Sequence, residues 1–572
     1  MKATTETPLT PIPQRKRSRW FFALWGGFNA GAVFGIIDSL MVIFFGLASF
    51  DRTGQIVGFI VWDAIGFGAL GSLCTLAVLA ALSPFKRIKS GHRSLIILSI
   101  LTTLSMILIA ANVGWSFSPL TGTPPDHAPN ILLITLDTLR SDATGSGGHP
   151  FVRTPTLDRL SRLGRHFINS VCPVPMTTPS HASMLTSMIP AVHGAKENRY
   201  RLGIDSVTLT EILRNNGWRT AAFVSCFPLD RRFGLNQGFM IYDDRFGAPG
   251  DLRQASWYKA WKNWREKGRM ERNCRSTNSL AIPWLRKYTG DGVPFFLWVH
   301  YFDPHSPYAP PIREQHYYHR MIQRDQLEWP DEYAEENARK AVAFTKVPPD
   351  PGRPEELYLG EVSEMDRAVG ELMHHLAQSV PLDDTLVVLL SDHGESFGEH
   401  GFFFTHGEDI YEPALSIWMT IYAPGQPAIT GLDPRLASAV DVATTVLPFA
   451  GLPPAESMEG FDMLGPVHRH AALIENFGIV MNPRATKQRG IRTESWKMMV
   501  FPDSGYDALY ALSQDPGERH NVRNDYPEFS SACISDLHAG FGAAEQRRRI
   551  AREDRSPETL EKLRALGYVM PE

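Results

Sequence analysis

Cysteine is scarce in this chain: five residues in 572, Cys74, Cys172, Cys226, Cys274 and Cys533, with no Cys-x-x-Cys spacing. That pattern excludes a disulfide framework of the small secreted kind and carries neither a zinc-finger nor a dithiol redox signature. A surplus of basic charge is lacking too. The formal net charge is −4, which argues against a dedicated nucleic-acid partner. A cleavable leader is also not the expectation, because the first apolar run is too long and two more follow it.

Long apolar runs are present instead. Residues 21–50, 56–83 and 94–115 each reach the roughly 20 residues that a spanning helix needs. Arg15, Lys16, Arg17 and Arg19 precede the first run, and Lys86, Arg87, Lys89 and Arg93 fill the loop after the second. The positive-inside rule then puts the N-terminus in the cytoplasm and everything after Trp115 outside it. The expectation is a multi-pass inner-membrane anchor over residues 1–118, with three transmembrane helices. Asp38 and Asp63 fall inside the runs; a structural role facing a neighbouring helix is preferred over a transport path.

The remaining chain reads as a linker over 119–129, a catalytic region over 130–452 and a C-terminal subdomain over 453–572. Residues 130–137, Asn-Ile-Leu-Leu-Ile-Thr-Leu-Asp, form a continuous apolar run that stops on an acid, as a central strand of a parallel sheet does. Similar runs at 295–301 and 385–390 alternate with helical patterns at 155–167, 209–216 and 355–379. Strands alternating with helices predict an α/β, doubly wound, mostly parallel sheet. Weaker patterning near the C-terminus predicts a small α+β subdomain. Trp257, Trp261 and Trp264 recur at helical spacing in a basic segment; contact with a membrane surface and a packed Trp stripe both fit.

Ligands in such sheets bind beyond the C-terminal strand ends. Asp137, His305, Asp392 and His393 all fall there. Two carboxylates and an imidazole, joined by Thr177, make an oxygen-rich set for one divalent cation, with zinc or manganese favoured over calcium or magnesium by the imidazole. Metal coordination would activate a Thr hydroxyl. His305 and His406 are candidates to bind an anion or protonate a leaving group. Taken singly, each of these residues has a plainer reading: a strand-end Asp is often a helix cap and a lone His is usually structural. Thr177 and Thr178 themselves precede Pro179, read here as a first helical residue, where a Thr is most often a cap.

Seven segments then occur in a fixed order: Ile-Thr-Leu-Asp-Thr-Leu-Arg-Ser-Asp, Thr-Pro-Thr-Leu-Asp-Arg-Leu, Thr-Thr-Pro-Ser-His-Ala-Ser-Met-Leu-Thr-Ser, Ile-Pro-Ala-Val-His-Gly, Val-His-Tyr-Phe-Asp-Pro-His, Leu-Val-Val-Leu-Leu-Ser-Asp-His-Gly-Glu and Leu-Tyr-Ala-Leu-Ser-Gln-Asp-Pro-Gly-Glu. The set resembles the sulfatase family of the alkaline phosphatase superfamily and implies its fold. The resemblance makes Asp137, Thr177, Asp392 and His393 metal ligands, with Thr177 as nucleophile. It puts His305 and His406 on the substrate side and makes Asn198 and His181 substrate contacts. The C-terminal motif is structural in this view.

The sequence departs from the family pattern where the chemistry is done. Thr177 stands in place of the Cys or Ser that becomes formylglycine, so no formylglycine is expected. His181 replaces an Arg, Thr138 a second acid, and His393 an Asn. Cys172 lacks the x-Pro-x-Arg context and reads as structural. A Thr nucleophile behind a membrane anchor is similar to the phosphoethanolamine transferases and lipoteichoic acid synthases. The expected function is hydrolysis of a sulfate or phosphate ester outside the cytoplasm. Transfer of such a group to envelope lipids or glycans is the alternative, and a catalytically silent envelope protein is the reading from another class.

Overall fold

The computed structural model describes residues 122–246, 270–325, 354–426, 428–477, 487–548, 552–554 and 556–565. The three apolar runs and the segment holding Trp257, Trp261 and Trp264 lie outside them. Among the described residues no helix is long and apolar enough to cross a membrane.

An eight-stranded mixed sheet organises the chain. Its strands are β1 (Asn130–Leu136), β2 (Arg165–Val171), β3 (Arg219–Phe223), β4 (Ile241–Asp243), β5 (Phe295–Tyr301), β6 (Thr385–Ser391), β7 (Met419–Tyr422) and β8 (Gly431–Ser438). The spatial order is β8-β2-β7-β6-β1-β5-β3-β4. Only β7 runs antiparallel to its neighbours, β2 and β6. The expected mostly parallel sheet is what forms.

Alternation along β1 explains why the run is apolar throughout. Ile131 and Leu133 join one core cluster with Ala182, Leu185, Leu209, Leu213, Val442 and Val446. Those residues come from helices α1 (Thr177–Thr186), α2 (Leu209–Asn215) and α3 (Val442–Phe449). Leu132, Ile134 and Leu136 join the opposite cluster with Leu157, Leu160, Leu285, Val362 and Met365. With helices on both faces, no position of a central strand meets water. The same alternation turns Thr135 and Asp137 to the α1 face.

A second, four-stranded antiparallel sheet follows, β9 (Ala472–Asn476), β10 (Gln488–Arg492), β11 (Trp496–Phe501) and β12 (Tyr506–Ala511), in chain order. Helix α4 (Pro527–Gln546) packs Leu537, Phe541 and Ala544 against Met498, Val500 and Leu509. The other face of this sheet, through Ile474, Met499 and Tyr510, merges with the main core. Glu518, from the C-terminal motif, accepts the Glu412 backbone N–H at 2.7 Å and pairs with the fully buried Lys497.

Two expectations need correction. The helical pattern at 155–167 stops at Leu163, and Arg165–Val171 is strand β2. Gly164, whose Cβ would lie 2.5 Å from the Ile421 carbonyl oxygen, separates the two. Helix α1 begins at Thr177 rather than Pro179, with Met176 as its N-cap. Pro179 is the third helical residue, and its missing N–H still costs nothing, because the first four N–H groups of a helix have no partner within it.

Candidate active site

β1 and β6 pair in parallel with Leu136 opposite Ser391, so the next residues, Asp137 and Asp392, emerge side by side. Asp392 donates its N–H to the Leu136 carbonyl at 3.2 Å. Its Oδ1 accepts the backbone N–H groups of Thr138 at 3.1 Å and His393 at 2.8 Å. Thr138 holds φ +54°, a left-handed conformation that turns the chain sharply after Asp137. After His393 the chain needs glycine, since a Cβ on Gly394 would lie 2.0 Å from the Pro413 carbonyl oxygen.

These turns leave two carboxylate oxygens aimed at one point. Asp137 Oδ1 and Asp392 Oδ2 are buried and have no hydrogen-bond partner among the described residues. His393 Nε2 stands 3.8 Å from the first and 3.5 Å from the second. Thr177 Oγ1 lies 3.4 Å from the same nitrogen. His393 Nδ1 donates to the Gly394 carbonyl at 2.9 Å, which leaves the Nε2 lone pair facing the acids. Separations of 3.4–3.8 Å are too long for charge-assisted hydrogen bonds. They match the ~3.4 Å edge of a tetrahedron of N and O ligands around zinc. One atom each from Asp137, Asp392 and His393 lies within 4.8 Å of the others.

The electrostatics ask for a cation. Burial pushes the Asp392 carboxyl up to about 8. Burial, then Asp392 and Glu395, raise Asp137 well above the carboxylate range. Burial holds the His393 ring well below its ordinary value, so it stays neutral and able to ligate. The donor set therefore fits one divalent metal ion.

His181, on the next turn of α1, has both ring nitrogens engaged. The Thr177 carbonyl can only accept, so His181 Nδ1 donates to it at 2.8 Å. The neutral ring's Nε2 then accepts from the Thr135 hydroxyl at 3.0 Å, and the Thr135 oxygen accepts from Trp298 Nε1 at 2.9 Å. Burial holds this ring down to about 4. Asn198 accepts the Thr178 N–H at 2.8 Å, and its Nδ2 is buried with no partner among the described residues. The Thr178 hydroxyl donates to the Pro228 carbonyl at 2.6 Å, away from the acids.

His305 and His406 meet at the outer end. Their rings are 4.9 Å apart, and the His406 ring lies 4.5 Å from that of His393. His305 Nδ1 donates to the Ser306 carbonyl at 2.5 Å, and burial, then His406, holds the ring well below its usual value. Glu395 Oε1 faces His406 Nδ1 at 3.4 Å, while Tyr308 donates to the other Glu395 oxygen. Asp137, Thr177, Asp392 and His393 are fully buried, His305 is 3 % exposed and His406 8 %. The histidine end is thus the less deeply buried one.

Sequence reasoning passed over several neighbours. His300 Nε2 lies 3.4 Å from Asp137 Oδ2, and the Cys226 thiol 3.8 Å from the same oxygen. Glu395 ends the Ser-Asp-His-Gly-Glu segment that carries Asp392 and His393. His300 lies inside Val-His-Tyr-Phe-Asp-Pro-His, three residues before Asp303 and opposite Thr135 in the β1–β5 register.

Comparison with known proteins finds similarity across this region. The family profile "Sulfatase" matches residues 129–452, and "N-sulphoglucosamine sulphohydrolase, C-terminal" matches 398–541. An arylsulfatase of Clostridium perfringens is 25% identical over 445 residues, covering 69% of this chain and 90% of its own. Arylsulfatase K of Homo sapiens is 24% identical, covering 72% and 82%. Among solved structures, one in complex with its substrate D-glucosamine-2-N,6-O-disulfate has a TM-score of 0.59 at 19% identity, covering 73% of this chain and 98% of its own. The phosphonate monoester hydrolase of Agrobacterium radiobacter reaches 0.56 at 20% identity, covering 74% and 97%.

Proposed function

The chain belongs to the sulfatase family, and on that premise we propose that it hydrolyses sulfate esters with the Thr177 hydroxyl as nucleophile. One observation carries this reading: at the start of a helix, Thr177 Oγ1 lies 3.4 Å from His393 Nε2, which faces two carboxylate oxygens that have no hydrogen-bond partner among the described residues. Asp137, Thr177, Asp392 and His393 would hold one divalent ion, with zinc or manganese favoured. Such an ion, when bound, lowers the pKa of a coordinated hydroxyl and offsets the charge of an anionic ester.

The chain's own side chains do the rest. Asn198 Nδ2 supplies a donor for the ester's charged oxygens. Thr177 Oγ1 bonds to sulfur as the bond from sulfur to the ester oxygen breaks. His305, neutral with its Nδ1–H given to Ser306, offers Nε2 as the base for the Thr177 proton. His406, with the Glu395 carboxylate beside it, is suited to deliver a proton to the departing alkoxide. The proton lost by Thr177 thus balances the one gained by the alcohol. Water then attacks the sulfo-threonine at sulfur, releasing sulfate and restoring the hydroxyl.

The apolar first fifth of the chain and its basic flanks support an enzyme held at a membrane, working on the extracytoplasmic side. A carbohydrate sulfate is the first class to try, given the disulfated glucosamine carried by one fold neighbour. The test is turnover by the full-length chain of a sulfate monoester and, separately, a phosphate monoester, with high-resolution mass spectrometry of the Thr177 peptide. A sulfo adduct supports the reading. A phospho adduct would move the chain to phosphoryl transfer, and full turnover by Thr177→Ala would end the role given to Thr177.

A further inference from the structure

The two oxygens of Asp137 face two different imidazoles. Oδ1 looks toward His393 Nε2 at 3.8 Å. Oδ2 looks the other way, toward His300 Nε2 at 3.4 Å and the Cys226 thiol at 3.8 Å. All four side chains are fully buried.

The neighbours of His300 fix its tautomer. Ser225 Oγ bonds both the His300 carbonyl and His300 Nδ1, the latter at 2.9 Å. A carbonyl only accepts, so the Ser225 proton goes to it. Ser225 Oγ must then accept from Nδ1–H. The neutral ring presents its Nε2 lone pair to a carboxylate oxygen, and that nitrogen has no hydrogen-bond partner among the described residues. With Asp137 ionised, two lone pairs face each other across 3.4 Å, a conflict that a cation between them relieves; a proton held between acid and ring would draw the two atoms to about 2.8 Å. A protonated ring is not the answer, since an imidazolium–carboxylate bond would close to about 2.8 Å. A ring nitrogen donating outward while the other points at an acid is the arrangement of a metal-ligating histidine.

Distances decide in the same direction. Around tetrahedral zinc, N and O ligands are about 3.4 Å apart and S and O ligands about 3.6 Å. The observed separations are 3.4 Å for His300 and 3.8 Å for Cys226, whose thiol, while protonated, donates to Asp137 Oδ2. His181 is not part of this shell, because both of its nitrogens are already engaged.

We infer that the pocket behind Asp137 is a second metal site, in which Asp137 Oδ2, His300 Nε2 and Cys226 Sγ bind a zinc-class ion and Asp137 bridges it to the first. A thiolate, an imidazole and a carboxylate select zinc over calcium or magnesium. On binding, the Cys226 S–H bond breaks, a sulfur–metal bond forms and the proton leaves to solvent. The Asp392 carboxylate, one of whose oxygens lies within 4.8 Å of a His300 nitrogen, is in reach as a further donor. This site rests on the proposed front site only in sharing Asp137.

The test uses the full-length chain, stripped by chelator and reloaded with zinc or, in parallel, cobalt. Two zinc ions per chain are expected, falling to one in Cys226→Ser and to one in His393→Ala. The cobalt-loaded chain should show a thiolate-to-cobalt charge-transfer band, kept in His393→Ala and lost in Cys226→Ser. Absence of that band from the unmutated chain, a reading that needs no variant to fold, overturns the second site. So does a Cys226→Ser chain that keeps both the band and all its zinc. A His393→Ala chain that keeps all its zinc counts against the front site alone.

Discussion

His181 donates from Nδ1 to the carbonyl oxygen of Thr177, one helical turn behind it, at 2.8 Å. The ring grips the backbone of the proposed nucleophile, while Thr135 holds its other nitrogen. Removing the ring should therefore loosen Thr177 rather than empty a substrate contact. His181→Ala is expected to lower kcat by about 10- to 100-fold with KM little changed, as misplacement of a reacting group does. A rise in KM at constant kcat would return His181 to the substrate.

The two outer histidines should separate by leaving group. His406→Ala is expected to slow an alkyl sulfate by about 100-fold or more, the usual worth of a positioned acid. An activated aryl sulfate, whose phenolate leaves without help, should lose less than about tenfold. Equal losses on both substrates would show that His406 does not protonate the leaving group.

Metal removal should reveal how badly the two acids tolerate each other. In chelator the chain should melt earlier, and an ion at 100 times its Kd should restore about 2.7 kcal/mol by mass action. Asp392→Asn should behave in reverse. Without metal it melts no lower than wild type, because the cost of burying an ionisable acid beside Asp137 is gone while Oδ1 still accepts from Thr138 and His393. With zinc it gains far less than wild type. Differential scanning calorimetry of both chains, with and without zinc, checks the crossing.

Away from the site, Glu475 on β9 sets a pH window. One oxygen accepts the Ala191 N–H at 2.6 Å; the other is buried without a partner among the described residues. Burial raises this carboxyl from 4.5 to about 7. The folded state thus favours the protonated form, and the advantage is full below about pH 4.5 and lost as pH rises through about 7. Glu475→Gln should accordingly gain on wild type across that window, by up to about 3 kcal/mol at its upper end. Denaturant unfolding of both chains at several pH values measures it, and a difference that does not vary with pH would refute it.

The acids were legible because an apolar run that ends on Asp has few other meanings: Leu136 and Leu390 must be core, so Asp137 and Asp392 must cap it. Thr177 was legible through its neighbours in the motif. His300 and Cys226 were not, because a His and a Cys inside buried segments look like packing residues, and only the β1–β5 register brings His300 to Asp137. The edge strand β8 hid for a different reason. Asp433 and Pro434 break its pattern, and its register shifts between Asp433 and Leu436, as an outer strand tolerates. Helix α4 hid behind a sequence rich in small residues, whose buried apolar positions are Leu537, Phe541 and Ala544 with Cys533 and Ile534 partly buried beside them.

The chain from the Trp298 indole through Thr135 and His181 to Thr177 bears on how such a site can change by descent. An Arg at 181 could not accept the Thr135 proton, since a guanidinium has no acceptor. Trp298 would still need Thr135 to receive its N–H. A change from His181 to Arg thus leaves the buried Thr135 hydroxyl proton unpaired, at about 1–3 kcal/mol. Position 181 is therefore coupled to position 135 and, through its hydroxyl, to the indole of Trp298 on another strand.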